Sequence, residues 1–379
     1  MEGAIKCMHG RSSPGMDGLP AAFYQLAPGI FGECLHIFFA DQLRRGSWLR
    51  SQHSSAITLL FIKGSRANLG NYRPIALMCV DVKVLSTALA YRLQQVLPKL
   101  IHEDQKAFLR GRSIHHHIHY MSDLQDLVSH RGDTAYATFL EFEEAYDRVD
   151  WSYIYPILSR MNCGTSFIEW TKLLHNNTNV SLLLNGTLSP KITPSRGMKQ
   201  GDPLSALLFL MTIEPLGNLL RRNEGPGICI TPCDTATSLS FPDDSTLLSS
   251  SLGGVETQLE IVQHYCDGSG ARLNLSKSTL LALNRHQVCS PFDKVRVLFP
   301  AESVSYLGIP FSQSSVGEAM IEFLLDRFCS GFRHWFRRAR TVRGRLLVAQ
   351  TMVLSRLWHF TTHFSIPQHT LRRWQSMLN

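Results

Sequence analysis

Hydrophobic and polar residues follow several distinct periods along the chain, and each period predicts a structural element. Apolar residues at positions 85, 89, 93, 96, 97 and 100 recur at helical spacing, which predicts a helix over 85–100. Residues 134–142 are typical of a strand that enters a buried sheet. Between apolar runs in 180–188 stands Asn185-Gly186, the strongest short-range indication of a β-hairpin.

The remaining segments mix helices and strands without a regular alternation. The pattern predicts helices over 167–175 and 203–221, strand pairs over 237–248 and 303–311, and a largely helical segment over 318–360 that breaks near 342–345. Because strands and helices do not alternate as βαβ units, the sequence predicts an α+β fold, a sheet domain with helical additions.

Charge is distributed unevenly. The chain has 379 residues and a net charge of +8. From Gly331 to the end there are nine arginines and no lysine, aspartate or glutamate, whereas residues 1–330 carry 29 basic and 30 acidic residues. A block of this kind is the electrostatic footprint of a phosphate-binding element, although a solvated helix face is the alternative. The interleaved tryptophans Trp335, Trp358 and Trp374 favour the nucleic-acid interpretation.

Other features narrow the class of protein. The first thirty residues show no secretory signal, and no uninterrupted apolar run reaches membrane-spanning length. Nine cysteines are scattered singly, which suits a reducing compartment. We therefore expect an intracellular protein, cytoplasmic or nuclear, with no membrane partner.

Two acidic sites stand out. Asp243 and Asp244 are adjacent in a predicted turn, and Glu141 ends a predicted apolar strand, where a carboxylate is costly unless it is paired, exposed or bound to a cation. Magnesium prefers such hard oxygen ligands, and two magnesium ions on shared carboxylates catalyse phosphoryl transfer. On spacing alone, a solvated turn remains the alternative.

Seven sequence motifs follow one another along the chain in the order and at the spacings of a known family. The chain resembles the reverse transcriptases of non-LTR (LINE-type) retrotransposons. The matching segments, in family order, are SSPGMDGLPAAFYQ, the stretch from ITLLFIKG to KAFLRGR, FLEFEEAYDRVDW, SRGMKQGDPLSALLF, SFPDDSTLL, GARLNLSKS and SYLGIPF.

The resemblance implies a right-hand polymerase fold with fingers, a palm with an antiparallel sheet, and a helical thumb. The implied domains are fingers with an N-terminal extension over 1–130, a palm with interleaved fingers segments over 131–312, and a basic helical thumb over 313–379. The implied activity is that of an RNA-directed DNA polymerase, which adds deoxynucleotides to a primer 3′ end with two Mg²⁺ ions, replaceable by Mn²⁺. The implied partners are an RNA template, a DNA primer or target, and deoxynucleoside triphosphates; the oligomeric state stays open.

Roles follow residue by residue from the same resemblance. Catalysis and metal binding fall to Glu141, Asp243 and Asp244. Nucleotide binding falls to Lys63, Arg73, Tyr146, Gln200, Gly201 and Lys277. Nucleic-acid binding falls to Arg333, Arg337, Arg338, Arg340, Arg343 and Arg345. For each nucleotide-binding residue an ordinary structural role is the alternative: a surface charge, a core tyrosine, or a glycine that provides positive φ.

The histidines at 115, 116, 117 and 119 are interpreted as a partly exposed basic segment near the template. Adjacent residues on a helix do not converge on one ion, so no metal is assigned to them.

Four positions depart from the family pattern. Glu141 replaces aspartate, Glu144 replaces lysine, Pro242 replaces alanine and Ala107 replaces glycine. The chain also opens just before the fingers motif, without the endonuclease domain usual upstream. These features predict a truncated or degenerate copy. The alternatives are a catalytically inactive nucleic-acid-binding remnant and a relic that does not fold.

Overall fold

A five-stranded sheet lies at the centre of the chain and separates two hydrophobic cores. The computed structural model describes the chain except residues 50, 177, 243, 289, 315, 316, 336, 337, 339, 340, 364, 365 and 379, and for 317–319, 377 and 378 it describes the backbone alone. Three of the predicted site residues, Asp243, Arg337 and Arg340, therefore lie outside the described residues.

The strands are β1 (Ser54–Phe61), β2 (Tyr72–Leu77), β3 (Tyr136–Glu141), β4 (Asn179–Leu184), β5 (Thr187–Leu188), β6 (Ile228–Thr231), β7 (Asp234–Ala236), β8 (Ser238–Phe241), β9 (Asp244–Ser249), β10 (Thr279–Ala282), β11 (Arg296–Val297), β12 (Ser303–Tyr306) and β13 (Ile309–Ser312). The helices are α1 (Glu2–Cys7), α2 (Ala21–Tyr24), α3 (Pro28–Arg45), α4 (Val80–Leu100), α5 (Ile114–Arg131), α6 (Ala145–Arg148), α7 (Trp151–Arg160), α8 (Thr165–His175), α9 (Ser205–Arg222), α10 (Leu252–Ser269), α11 (Gly317–Trp335), α12 (Val342–Val348), α13 (Ser355–Thr361) and α14 (Gln368–Leu378).

The central sheet has the order β11-β10-β3-β9-β8, and only the β10–β11 pair is parallel. Every residue of β3 is buried except Glu141, because β3 has a strand on either side and a hydrophobic core on each face. Its side chains alternate between the two cores, as the two-residue period of a strand requires. Tyr136 and Leu140 join the core formed with α4, α9 and α10, whereas Ala137 and Phe139 join the core formed with α5 and the C-terminal helices.

A second sheet, β2-β1-β4-β5, combines segments that are far apart in sequence. Strands β1 and β2 form an antiparallel hairpin, and β4 pairs with β1 in parallel. The predicted hairpin at Asn185-Gly186 is confirmed: both residues have positive φ, at 49° and 82°, as a type I′ turn requires.

The C-terminal helices pack on the second core of the central sheet. Phe328, Phe360 and Trp374 lie in the same cluster as Met121 of α5. A helical turn of π type, Ala349–Leu354, joins α12 to α13. No helix among the described residues has the length and apolar character to cross a bilayer.

The predicted helices and strand pairs are confirmed, with one exception. The predicted break at 342–345 is wrong, because α12 begins at Val342. The Thr341 side chain accepts a hydrogen bond from the Gly344 backbone N–H at 3.1 Å, which is the N-cap interaction that starts a helix. The preceding helix, α11, ends at Trp335.

One buried side chain secures the hairpin of β8 and β9 to α10. The Gln258 amide is fully buried and donates to the carbonyls of Thr237 and Leu248 at 3.1 and 3.0 Å. We expect Gln258→Leu to lower the free energy of unfolding by about 2 kcal/mol, because both carbonyls lose the hydrogen bond from the buried amide. Urea denaturation measures this. Gln263→Leu, at an exposed position of the same helix, is the matched control, and an equal loss in both variants would contradict the assignment.

Candidate functional site

Two acidic residues from distant parts of the sequence meet on the central sheet. Glu141 is the last residue of β3 and lies directly opposite Asp244, the first residue of β9. Paired residues of antiparallel strands have Cα atoms about 4.5–5.5 Å apart. Both side chains are exposed. Asp243, the residue before Asp244, lies outside the described residues.

The segment 274–278 holds the end of β3 in place. The Asn274 N–H donates to the Glu141 carbonyl at 2.8 Å, and the Glu141 N–H donates to the Ser278 hydroxyl at 3.1 Å. Ser278 is fully buried and in turn donates to the Asn274 carbonyl at 2.9 Å. The backbone of Glu141 is therefore fixed although its side chain faces solvent.

A small cavity of about 100 Å³ joins the acidic pair to Lys277. Glu141, Asp244 and Lys277 line it together, and its other wall is the hairpin of β12 and β13. The structure thus brings one predicted phosphate-contacting lysine to the acidic pair. Paired carboxylate oxygens that face an open cavity fit a divalent cation that keeps some of its water ligands.

Pro242 does not break the hairpin that carries the aspartates. Strands β8 and β9 pair without a register shift up to Phe241 and Asp244, so the loop between them has two residues. The strand pairing on both sides of position 242 is therefore retained with proline.

Gln200 and Gly201 form a turn that contacts the second sheet. The Ala76 N–H of β2 donates to the Gln200 carbonyl at 2.8 Å. Gly201 has φ of 102°, and a Cβ atom there would lie 3.1 Å from the Ala76 carbonyl oxygen. Glycine is needed here for both reasons. Gln200 also lines a cavity of about 240 Å³ with Pro74.

The other predicted nucleotide-binding residues lie apart from the acidic pair. Lys63 lies in the loop between β1 and β2, Arg73 lies in β2 of the second sheet, and both are exposed. Tyr146 is half-buried in α6, with its ring stacked on Phe209 at a centroid distance of 4.2 Å. Its packing on α9 is established, and this contact leaves both interpretations of the tyrosine open.

Two of the departures from the family pattern have different backbone costs. Ala107 is buried and is not among the described residues with positive φ, so its methyl group is accommodated without backbone strain. Glu144 has φ of 46° at the start of α6, a left-handed conformation that costs a non-glycine residue about 1 kcal/mol.

The histidine run divides among different environments. His117 is buried and its Nε2 is 3.1 Å from the Ser240 carbonyl oxygen, and burial lowers its pKa to about 4. The interpretation of the run as one partly exposed basic segment is therefore wrong for His117. His115 turns instead towards His363, with 2.6 Å between Nδ1 and Nε2.

The arginines of the C-terminal region are largely exposed. Arg333 forms a long ion pair with Asp326 at 3.5 Å, and the guanidinium of Arg338 lies 5.3 Å from the centre of the Trp335 ring. Arg343 and Arg345 are exposed on α12. Exposed ion pairs are weak, so these charges stay accessible to an anionic partner.

Two residues that the sequence did not single out form a wall of the larger cavity. His175 is buried and stacks on Trp151 with an interplanar angle of 4°. Burial, together with the nearby Lys199 ammonium, lowers the pKa of His175 to about 3. Burial also lowers the pKa of Lys199 to about 8, and its Nζ donates to the Leu174 carbonyl. Their burial arises from tertiary packing, so no local pattern marks them.

Known proteins are similar to this chain in sequence and in fold. The profile of the family described as reverse transcriptase (RNA-dependent DNA polymerase) matches residues 62–311. The 149 kDa protein of transposon TX1 from Xenopus laevis is 29% identical over 99% of this chain and 29% of its own length. The Pol polyprotein of an R2 retrotransposable element from Nasonia vitripennis is 23% identical over 72% of this chain and 26% of its own length. The chain thus spans less than a third of these relatives.

A solved structure supports the fold. The apo telomerase of Candida tropicalis superposes with a TM-score of 0.50 and 10% identity, covering 92% of this chain and 66% of the telomerase. The α+β class and the right-hand polymerase architecture are therefore confirmed.

The buried imidazole of His175 makes stability depend on pH. Its pKa in the folded chain, about 3, lies below the unfolded value of about 6.5, so the unfolded chain binds a proton first as the pH falls. Between pH 7 and pH 5 the folded chain should lose roughly 2 kcal/mol from this group. His175→Phe keeps the stack on Trp151 but has no imidazole to protonate. Between pH 7 and pH 5 we expect this variant to lose roughly 2 kcal/mol less stability than the unsubstituted chain. Urea denaturation at both pH values measures the difference. His264→Phe, at an exposed position, should behave as the unsubstituted chain, and equal pH dependence in all three proteins would contradict the assignment.

Proposed function

Because this chain belongs to the family of reverse transcriptases (RNA-dependent DNA polymerases), we propose that it extends a DNA primer 3′ end with deoxynucleotides on an RNA template. The observation that carries the proposal is the register of β3 and β9, which places Glu141 opposite Asp244. Oxygen ligands from two strands are what a metal-dependent nucleotidyl transfer requires.

The family uses divalent metal ions. We assign two Mg²⁺ ions, replaceable by Mn²⁺, to Glu141, Asp243 and Asp244. When bound, such ions activate the attacking oxygen and stabilise the leaving oxygen in phosphoryl transfer. Lys277, on the same cavity, would attract the phosphates as a point charge. The hairpin of β1 and β2 would contribute Lys63, from its loop, and Arg73, from β2, to triphosphate binding.

The proposed domains agree with the arrangement of the sheets. Strands β1 and β2 belong to the fingers at 1–130, yet β4 and β5, from the palm range 131–312, complete the same sheet. This is the interleaving expected of fingers segments within the palm. Gln200 and Gly201 connect the two parts through the hydrogen bond to Ala76, close to where template and nucleotide would enter. We propose Tyr146 as the residue under the incoming sugar.

The region 313–379 is proposed as the thumb, which binds the template–primer duplex. Its positive charge comes from arginines that the structure describes, among them Arg333, Arg338, Arg343 and Arg345. The sequence adds Arg337 and Arg340, which lie outside the described residues. The exposed Trp358 ring offers a surface for base or sugar contacts.

A second candidate is a remnant that binds nucleic acid without catalysis. The observation that favours it is Glu141, where the family has aspartate. The extra methylene moves the carboxylate by roughly 1 Å, and a displacement of that size can lower a rate about a hundredfold. The binding surfaces are the same in both candidates, so only catalysis distinguishes them.

Primer extension with Mg²⁺ on an RNA template tests the proposal. We expect Asp244→Asn to abolish extension, because a neutral amide is a poor metal ligand, and Glu141→Asp to raise the rate by up to about a hundredfold. Pro242→Ala should add a smaller gain, since the hairpin already closes around proline. Template–primer affinity, measured by fluorescence anisotropy without metal, should not fall in any of these variants. The alternative result is that the unsubstituted chain and the double variant, Glu141→Asp with Pro242→Ala, both bind template–primer but do not extend it. That result would establish the inactive remnant.

Salt dependence tests the thumb. Affinity for template–primer should fall steeply with salt, because phosphate contacts release counterions. Replacing Arg338, Arg343 and Arg345 with alanine should make the slope of log K against log salt shallower by about one unit for each lost contact.

The matched control removes three exposed arginines elsewhere, Arg44, Arg45 and Arg92, and should leave the slope unchanged. An equal change in both triple variants would return the C-terminal arginines to the role of a solvated helix face.

A further inference from the structure

Four histidines meet where α5 contacts the C-terminal helices. His115 and His119 are one helical turn apart on α5, whereas His359 lies in α13 and His363 lies in the turn that follows α13. One ring nitrogen from each of His115, His359 and His363 lies within 4.8 Å of the others. The His119 ring lies 4.7 Å from that of His363, centre to centre. Residues four apart share one helix face, so His115 and His119 can face the same ion.

Hydrogen bonding prepares His359 as a ligand. Its Nε2 is 3.0 Å from the Leu307 carbonyl oxygen, to which it can only donate. The Nδ1 of His359 then carries the lone pair that a metal requires. A ligating histidine commonly donates its other N–H to a backbone carbonyl, which fixes the tautomer and the ring orientation.

Hydrogen bonds alone leave this cluster incomplete. The contact of 2.6 Å between His115 and His363 needs one donor and one acceptor, whereas a metal ion would bind the lone pairs of both nitrogens. Within the described part of the chain, no carboxylate forms an ion pair with any of the four histidines.

We propose that His115, His359 and His363 bind a zinc ion, with His119 or a water molecule in the fourth position. Tetrahedral zinc with Zn–N bonds of 2.0–2.1 Å places its nitrogen ligands about 3.4 Å apart. The nitrogens of His115 and His363 would separate by less than 1 Å to reach that spacing, a change within the range of side-chain rotation. Imidazole ligands suit zinc, whereas the carboxylates of Glu141 and Asp244 suit magnesium.

The position of the site suggests what the ion does. It would connect α5 with α13 and, through His359 and Leu307, with the turn between β12 and β13. Leu307 also lines the cavity of the acidic pair. The ion would therefore hold the C-terminal helices against the hairpin beside the acidic site. This inference does not depend on the proposed function.

Metal binding by the full chain tests the inference. After treatment with a chelator, the protein should take up one equivalent of Zn²⁺, and a zinc concentration a hundredfold above the dissociation constant should raise the melting temperature by roughly 5 °C. Co²⁺ in place of zinc should give the visible spectrum of a tetrahedral, nitrogen-ligated ion. His359→Ala with His363→Ala should weaken zinc binding at least about a hundredfold, because loss of an outer-shell partner alone costs ten- to a hundredfold.

Two controls separate this site from others. His116→Ala and His369→Ala remove exposed histidines beside the cluster and should leave zinc binding unchanged. Asp244→Asn should also retain zinc, which excludes binding at the acidic pair. The melting temperature of the metal-free double variant, His359→Ala with His363→Ala, shows whether it folds, and His115→Gln provides a milder second ligand loss. Retention of one tight zinc equivalent by a folded double variant, or no zinc uptake by the unsubstituted chain, would overturn the proposal.

Discussion

The antiparallel pairing of β3 with β9 is the constraint on which the rest of the structure depends. A strand has a two-residue period, so a slip of one residue would turn every side chain to the opposite face. The register is fixed because β3 is buried on both faces: Tyr136 and Leu140 face one core, and Ala137 and Phe139 face the other. Within β3, only Glu141, its last residue, is exposed to solvent. The acidic pair is therefore rigid in its backbone and accessible in its side chains.

The elements around this pair each contribute to holding it. The segment 274–278 binds both the N–H and the carbonyl of Glu141, and Gln258 of α10 binds the carbonyls beside the β8–β9 hairpin. The hairpin of β12 and β13 closes the cavity from the opposite side. Electrostatic catalysis depends on such preorganisation, because ligands that are already placed need no reorganisation during the reaction.

Helix α5 has a role that its position in the sequence does not suggest. It packs on the second face of the central sheet and shares a core with α11, α13 and α14. His117 binds the sheet through Ser240, and His115 faces His363 from the C-terminal part. One short histidine run thus contacts both the sheet that carries the acidic pair and the helices that carry the arginines.

The sequence by itself determined many of the elements and the fold class. Helix periods, the Asn185-Gly186 turn and the order of the motifs predicted the α+β class and the right-hand architecture, because these signals are local or depend on order along the chain. Tertiary structure decided what depends on distant segments meeting. The register of Glu141 and Asp244, the burial of His175 and the contact of His115 with His363, 248 positions away, arise from packing. The wrong expectation at 342–345 has a local cause: Thr341 caps α12 where a break was predicted, because its side chain accepts the Gly344 N–H.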